Sequence, residues 1–382
     1  MSQRSFRVAL AVVASSVILV VGIAGWFAHR ALSYPDEAHD GAGTEIAVEI
    51  KSGMSFPAVA SLLAGKHVIE RPTWFRLYAM WEGDTTNIKP GKYLIKDNLT
   101  PAQVLDVIVA GIKEVTIKVT LPEGKNMLEY FELIEKACPT GQEAPCPKIA
   151  AAKDLEALAR DKEFLGEHAI VGETVEGYLF PDTYQFRVDE KPRVVLERLI
   201  TRHQEVWQDI LAKHPRDTAK LKDKLRWTDR DILTMASIVE KEAVDPAERP
   251  RIAQVFINRL TKPNFNPKKL ETDPTIRYGC LVPEKKSAAC VAWNEPCVKQ
   301  HLPMGCDRLH RAQLDDDDNP YNTYRHEGLP PGPIANPGRR SMEAVVAPDG
   351  SDYLYFVAKN DRQHAFSKTL AEHEKNVDKY MR

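Results

Sequence analysis

The sequence carries almost no net charge: 52 Lys and Arg stand against 54 Asp and Glu, a formal −2 over 382 residues. No basic stretch stands out that would neutralise a phosphate backbone, so nucleic acid is not an expected partner. The chain also lacks any C-x-x-C pair. Nine, six and eight residues separate Cys280, Cys290, Cys297 and Cys306, which matches no familiar zinc-ligand set. There is no internal repeat, and low complexity is confined to the four aspartates at residues 315–318. That run reads as solvated surface, because a calcium loop needs further oxygen ligands at defined positions. No metal or organic cofactor is expected.

Long apolar runs are absent with one exception. Residues 8–28 contain no charged side chain, enough for a helix to cross the hydrocarbon core of a bilayer. Arg4 and Arg7 precede the run, whereas Asp36, Glu37 and Asp40 follow soon after Arg30. This asymmetry places the N-terminus in the cytoplasm. A cleavable signal peptide is the alternative, but the run exceeds a usual apolar core and ends in Trp26, Phe27 and His29 without a small-x-small site. The expected order is a cytoplasmic tail at 1–7, a membrane helix at 8–28 and a tether at 29–43. All six cysteines then fall in the exported part, where an even count suggests disulfides. Cys138 and Cys146 form a natural local pair, and the other four leave three connectivities open.

With 43% hydrophobic and 28% charged residues, the chain has room for two or three domains with real cores. Alternation at Ile46, Val48 and Ile50 predicts a strand, 55–63 a short helix, and Pro72 opens a helix bearing Trp74, Phe75 and Tyr78. A strand at 93–95 and a helix capped by Thr100-Pro101 complete a small module at 44–113. Its element order resembles a LysM-like glycan-binding module. Val115, Ile117, Val119 and Leu121 alternate as a half-buried strand and open a larger mixed domain at 114–382. The overall class expected is α+β.

The chemistry is expected on the helix from Thr228 to Ala243. Thr228 with Asp231 forms a capping-box pattern, and Ile232, Met235, Ala236, Val239 and Ala243 recur at helical spacing as an apolar stripe. Glu240 and Glu242 flank that stripe about 200° apart around the axis, so they cannot serve one cleft equally. A carboxyl beside apolar surface is pushed toward its protonated form and suits proton donation near neutral pH. Spacing alone does not choose between the two.

A second helix over 248–260 follows. Beyond it come loops rich in Tyr, Asn and Thr at 272–278 and 320–324, the Gly-Leu-Pro-Pro-Gly-Pro-Ile segment at 328–334, and an apolar run at 353–357 that reads as a buried strand. Together with Glu176 to Tyr184, the Ala-Ser-Ile-Val-Glu-Lys-Glu run ending at Glu242, Val-Phe-Ile-Asn-Arg-Leu ending at Leu260, Asp273-Pro274-Thr275, Tyr321-Asn322-Thr323-Tyr324 and His364-Ala365-Phe366-Ser367, these segments resemble the endolytic murein transglycosylases of the YceG-like family.

The resemblance implies cleavage of the β-1,4 bond between N-acetylmuramic acid and N-acetylglucosamine within a glycan strand, leaving a 1,6-anhydromuramic end. It places the catalytic acid at Glu242, with Glu240 alternative or supporting. It also implies roles near the substrate for Asn322, Tyr324 and Asp273, and contacts from Tyr321, Thr323, Glu176 and Tyr184. Glu176 and Asp182 are the carboxylates to check as a second acid, although turn or capping roles are expected of them. Implied partners are glycan strands and penicillin-binding synthases, with the enzyme held at the inner membrane and its catalytic domain in the periplasm. A hydrolytic muramidase and a non-catalytic glycan-binding scaffold are the rivals. The departure from the family is a cysteine-rich insertion at about 279–319, expected near the cleft.

Overall fold

The computed structural model describes residues 3–38, 40–112, 116–139 and 146–381. The start of the expected cytoplasmic tail, the boundary at 113 and 114, Val115 and most of the loop from Cys138 to Pro147 lie outside these residues. The chain divides into two compact units, residues 1–114 and 115–382. It is a mixed α+β protein in which three antiparallel two-stranded ribbons supply the sheet among the described residues.

In the first unit, α1 (Gln3–Ser33) carries a stretch long and apolar enough to span a membrane. The expected tether begins as structure: a 3-10 turn at Tyr34–Asp36 continues from α1, and Tyr34 is buried with its hydroxyl donating to the Arg71 carbonyl at 3.1 Å. An aromatic side chain with a satisfied hydroxyl is a stronger anchor than the polar residues around it suggested. There follow β1 (Glu45–Ile50), α2 (Phe56–Gly65), α3 (Pro72–Glu82), β2 (Gly91–Lys96) and α4 (Pro101–Ala110). β1 and β2 pair with Val48 opposite Tyr93. Val48, Ile50, Tyr93 and Ile95 face a core completed by Val59, Leu63, Phe75 and Leu105. Thr100 and Gln103 close the capping box that starts α4.

The second unit opens with β3 (Thr116–Thr120), α5 (Met127–Lys136), α6 (Ala152–Ala159) and α7 (Lys162–Glu167), then β4 (Thr183–Arg187), which pairs with β3. Helices α8 (Pro192–Lys213), α9 (Pro215–Leu225), α10 (Asp229–Glu242) and α11 (Arg249–Thr261) follow. The chain continues through α12 (Asp273–Leu281), α13 (Ala288–Lys299), α14 (Arg311–Leu314) and α15 (Arg339–Val346), and closes with β5 (Tyr355–Ala358), β6 (His364–Ser367) and α16 (Leu370–Tyr380). One contiguous core runs from Ile117 on β3 through Phe131, Leu199, Ile232 and Phe256 to Val345. Each such side chain contributes about 1.5–3 kcal/mol when fully buried.

α10 is not the amphipathic surface helix that its stripe predicts. Every residue from Ile232 to Val239 is buried, Thr234 and Ser237 included. The two hydroxyls are satisfied within the helix, Thr234 Oγ1 donating to the Arg230 carbonyl at 2.8 Å and Ser237 Oγ to the Thr234 carbonyl at 2.7 Å. Ser237 Oγ also accepts from the Ile334 amide at 2.9 Å. The helix is therefore a hub, and the Pro-Pro-Gly-Pro segment is fastened to it. Gly177, with φ +87°, approaches that segment so closely that a Cβ would lie 2.6 Å from Pro333.

A second difference concerns residues 272–278, read from sequence as a loop. Asp273-Pro274 instead opens α12, the proline standing where a missing N–H costs nothing. The aspartate run is also not purely solvated: Asp316 is buried, its carboxylate accepting from Ser287 Oγ and from the Asp318 amide. Cys138 bonds to Cys146 as the spacing suggested, and the open connectivity resolves as Cys280–Cys290 and Cys297–Cys306. Between these bridges α13 builds a small core of Ile276, Cys280, Cys290 and Trp293.

Candidate active site

Glu240 and Glu242 share the last turn of α10 and meet opposite surroundings. The Glu240 side chain is 5% exposed and fully engaged: Arg249 Nη2 donates to Oε1 at 2.7 Å, and the Gly338 amide to Oε2 at 3.0 Å. Arg249, itself buried, reaches on to Glu123 at 3.3 Å. A Cβ on Gly338 would collide with that second carboxylate, so glycine is required for the close approach. Glu240 thus joins α10, α11 and the start of α15 through a compensated buried charge.

Glu242 forms no ion pair among the described residues. It is partly exposed, yet protein atoms crowd its carboxyl enough that desolvation pushes the pKa up. The neighbouring charge of Asp273 pushes the same way, while Thr272, His364 and Arg259 pull down. Its place at the C-terminal end of α10 adds the negative end of the helix dipole, which also disfavours an anion there. Thr272 faces this carboxyl at the entry to α12, and its buried Oγ1 has no other hydrogen-bond partner among the described residues.

The groups around Glu242 come from distant parts of the chain. Tyr324 donates its hydroxyl to Asp273 Oδ1 at 2.9 Å. Burial, Asp273 and Glu242 all raise the Tyr324 pKa, keeping it a proton donor. His364, on β6, is held by Glu248: its Nδ1 lies 2.7 Å from Glu248 Oε2, and its backbone amide donates to both carboxylate oxygens. Arg259 is buried on α11, donating to the carbonyls of Leu354 and Leu270 and flanked by the rings of Phe265 and Tyr355 at 5.4 and 5.6 Å. Between the turn after α10 and the turn before β6, Asp245, Pro246 and residues 360–363 line an open cleft of about 570 Å³. Among the described residues no group of three or more His, Cys, Asp or Glu side chains is gathered to hold a metal.

The remaining sequence candidates sit as follows. Asn322 is fully buried; its Nδ2 donates to the carbonyls of Gln313, Leu314 and Asp316, and its Oδ1 accepts from the Tyr324 amide. It leaves no donor for a substrate and instead fastens the end of the cysteine-rich segment to the turn that carries Tyr324. Thr323 is buried as well, bonding Thr275 Oγ1 at 2.9 Å and accepting from the Thr272 amide at 3.1 Å. Tyr184 lies in the β3–β4 core with its hydroxyl donating to the Phe180 carbonyl. Asp182 accepts from the Thr183 amide and from Arg202 Nε.

Glu176 occupies a separate place. It is 2% exposed and accepts from the Met127 amide at the start of α5 and from Asn336 Nδ2 at 3.0 Å. Burial pushes its pKa up to about 8. Tyr278 bonds this carboxyl, and Tyr321 packs against Tyr278 with ring centroids 4.8 Å apart. The structure therefore brings Glu242, Asp273 and Tyr324 together and leaves Glu176, Tyr184 and Tyr321 outside that group. Arg259 and Glu248 with His364 were not assigned roles from sequence. An arginine among Val255, Phe256 and Ile257 on a buried helix was the available signal.

The profile of the YceG-like family matches residues 48–379. An endolytic murein transglycosylase of Bacillus subtilis is 30% identical over 342 residues, covering 88% of this chain and 85% of that protein. One from Streptococcus pneumoniae is 24% identical over 357 residues, covering 88% of this chain and 58% of its own length. The crystal structure of a YceG-like protein from Listeria monocytogenes, 29% identical, superposes with a TM-score of 0.51 over 87% of this chain and 99% of that one. Matched over most of its length by profile, sequence and structure alike, the chain belongs to the YceG-like family.

Proposed function

We propose that this protein is an endolytic lytic transglycosylase of peptidoglycan and that Glu242 is its catalytic acid and then its base. The observation that carries the assignment is the contrast within one helical turn: Glu240 is neutralised by Arg249, whereas Glu242 is partly open, without an ion pair among the described residues, and biased toward its protonated form. A protonated carboxyl gives its proton to the glycosidic oxygen as the bond to C1 of N-acetylmuramic acid breaks. The resulting carboxylate then takes the proton of the C6 hydroxyl as that oxygen closes on C1, so one group serves both steps without water. Relatives named endolytic murein transglycosylase support the substrate class.

In this reading Tyr324 faces the reacting sugar, Thr272 positions the Glu242 carboxyl, Asp273 orients Tyr324, and Asn322 holds the loop rather than the acetamide. The first unit's module is the proposed second glycan contact, LysM-like in element order. The apolar helix keeps the catalytic unit at the outer face of the inner membrane, where nascent strands and their penicillin-binding synthases are the proposed partners.

Asp273 gives hydrolysis a specific footing, since a second carboxylate beside Glu242 is what a water-using glycosidase needs. Mass spectrometry of strands incubated with the full-length chain separates the two. Fragments one water lighter than hydrolysis products, lost in Glu242→Gln, support transglycosylation. Reducing ends carrying the added water, lost in Asp273→Asn, overturn it in favour of hydrolysis.

A further inference from the structure

At the opposite end of α10 from Glu242, a helical rise of about 18 Å away, a cavity of about 450 Å³ is walled by Tyr178, by His203 and Trp207 of α8, by Arg230 and Leu233 of α10, and by Met342 of α15. Three of these side chains hold buried polar atoms with no hydrogen-bond partner among the described residues: both ring nitrogens of His203, the Trp207 indole Nε1 and the Arg230 Nη1. His203 is 5% exposed and Trp207 8%. Leaving such groups unpaired is costly, and their gathering in one cavity calls for an explanation that core packing does not give.

The charge of the cavity is simple. Arg230 donates through Nη2 to the Pro331 carbonyl at 3.1 Å, and no carboxylate pairs with it among the described residues. Asp229 also lines the cavity, and its carboxylate is already held by Lys222 at 2.6 Å. The guanidinium is fixed in place, since a Cβ on Gly172 or Gly332 would run into it. Burial lowers the His203 pKa to about 4, so at neutral pH the ring is uncharged and offers one donor and one acceptor. What remains is a single cation, an indole N–H, a neutral imidazole and the apolar faces of Leu233 and Met342. The complement is one carboxylate followed by amide groups and small apolar side chains.

We propose that this cavity is a second, non-catalytic site that takes the free carboxyl end of a short peptide. In peptidoglycan that occupant is the stem peptide of the strand being cut, an identification that rests on the function proposed above. Held there, a stem sets which sugar reaches Glu242, with α10 as the spacer between the two sites.

The test uses the full-length chain in detergent, with calorimetric titration of diacetyl-Lys-D-Ala-D-Ala and its C-terminal amide. The acid should bind at least tenfold tighter than the amide. Arg230→Gln should weaken the acid at least tenfold, and Trp207→Phe, which removes the N–H together with part of the ring, severalfold, while Glu242→Gln binds as the wild type does. On strands bearing stems, Arg230→Gln should raise KM at least fivefold at unchanged kcat, and on strands stripped of stems it should change neither. Equal binding of acid and amide, binding that survives in both the Arg230→Gln and Trp207→Phe chains, loss of binding in Glu242→Gln, or no binding to the wild type would each overturn the proposal. If the chain binds the acid yet cuts no glycan, the pocket stands and the catalytic reading falls.

Discussion

Two carboxyl groups in the second unit, Glu176 and Glu242, are both pushed toward their protonated forms by desolvation, and the comparison separates a structural carboxyl from the proposed catalytic one. Glu176 sits at the positive end of α5, accepts from the Met127 amide and Asn336, and has no exposed surface to speak of. Glu242 sits at the negative end of α10, keeps part of its surface open, and faces the Thr272 hydroxyl. A raised pKa is thus common to both. What distinguishes them is whether the group has hydrogen-bonding capacity and access left for a substrate.

The sharpest break in that comparison is substitution on α10. Glu242→Gln should lower the cleavage rate by about 10²–10⁴-fold, the range for losing a general acid, with folding unaffected in denaturant titration. Glu240→Ala should do the reverse in kind. It leaves Arg249 buried without its main partner, and unfolding free energy should fall by about 3–5 kcal/mol. A Glu240 variant that folds normally yet is inactive would reverse the assignment of the acid.

The disulfides of the cysteine-rich segment come next. Replacing Cys297 and Cys306 by Ser opens a loop with a sequence separation of 9, which should cost about 2–3 kcal/mol. Because this segment reaches the Tyr324 turn through Asn322, KM should rise with it while kcat holds, as steady-state kinetics would report.

The pH dependence sharpens the same contrast. As an acid with a raised pKa, Glu242 is competent below that pKa, so kcat/KM should fall as pH rises through it. Removing the Asp273 charge with Asp273→Asn takes away one of the raising influences and should move that alkaline limb to lower pH. Glu176 instead acts on stability. Folded, it holds a proton up to about pH 8 that the unfolded chain releases near its ordinary 4.5, so it makes stability decline as pH rises across that window. Glu176→Gln should flatten the decline with no change in the alkaline limb of activity. Denaturant midpoints measured at pH 5 and pH 8 would read it.

Much of this was legible in the chain. The apolar run, the caps at Thr100 and Thr228, the alternation of β1 and β3 and the Cys138–Cys146 pair are local matters, set by neighbours within a few residues, and local periodicity reports them directly. The family segments pointed to α10 and to two glutamates for the same reason. The full burial of α10 was not legible, because Thr234 and Ser237 look like a solvated face until their hydroxyls are paired within the helix and with Ile334. Nor was the fate of Asn322, whose three carbonyl partners lie in a segment that the family resemblance marked as an insertion.

Sequence by itself determined which side chains are present and which local elements carry them: two carboxyls on one helical turn, a tyrosine and an aspartate in separate segments, and a membrane-length apolar helix. Only the tertiary structure decided that Arg249 and Gly338 close around Glu240 while Thr272, Asp273 and Tyr324 gather beside Glu242. The physical reason is that a carboxyl's protonation and reach depend on burial and on charges brought from distant parts of the chain, and these exist only once the chain has folded.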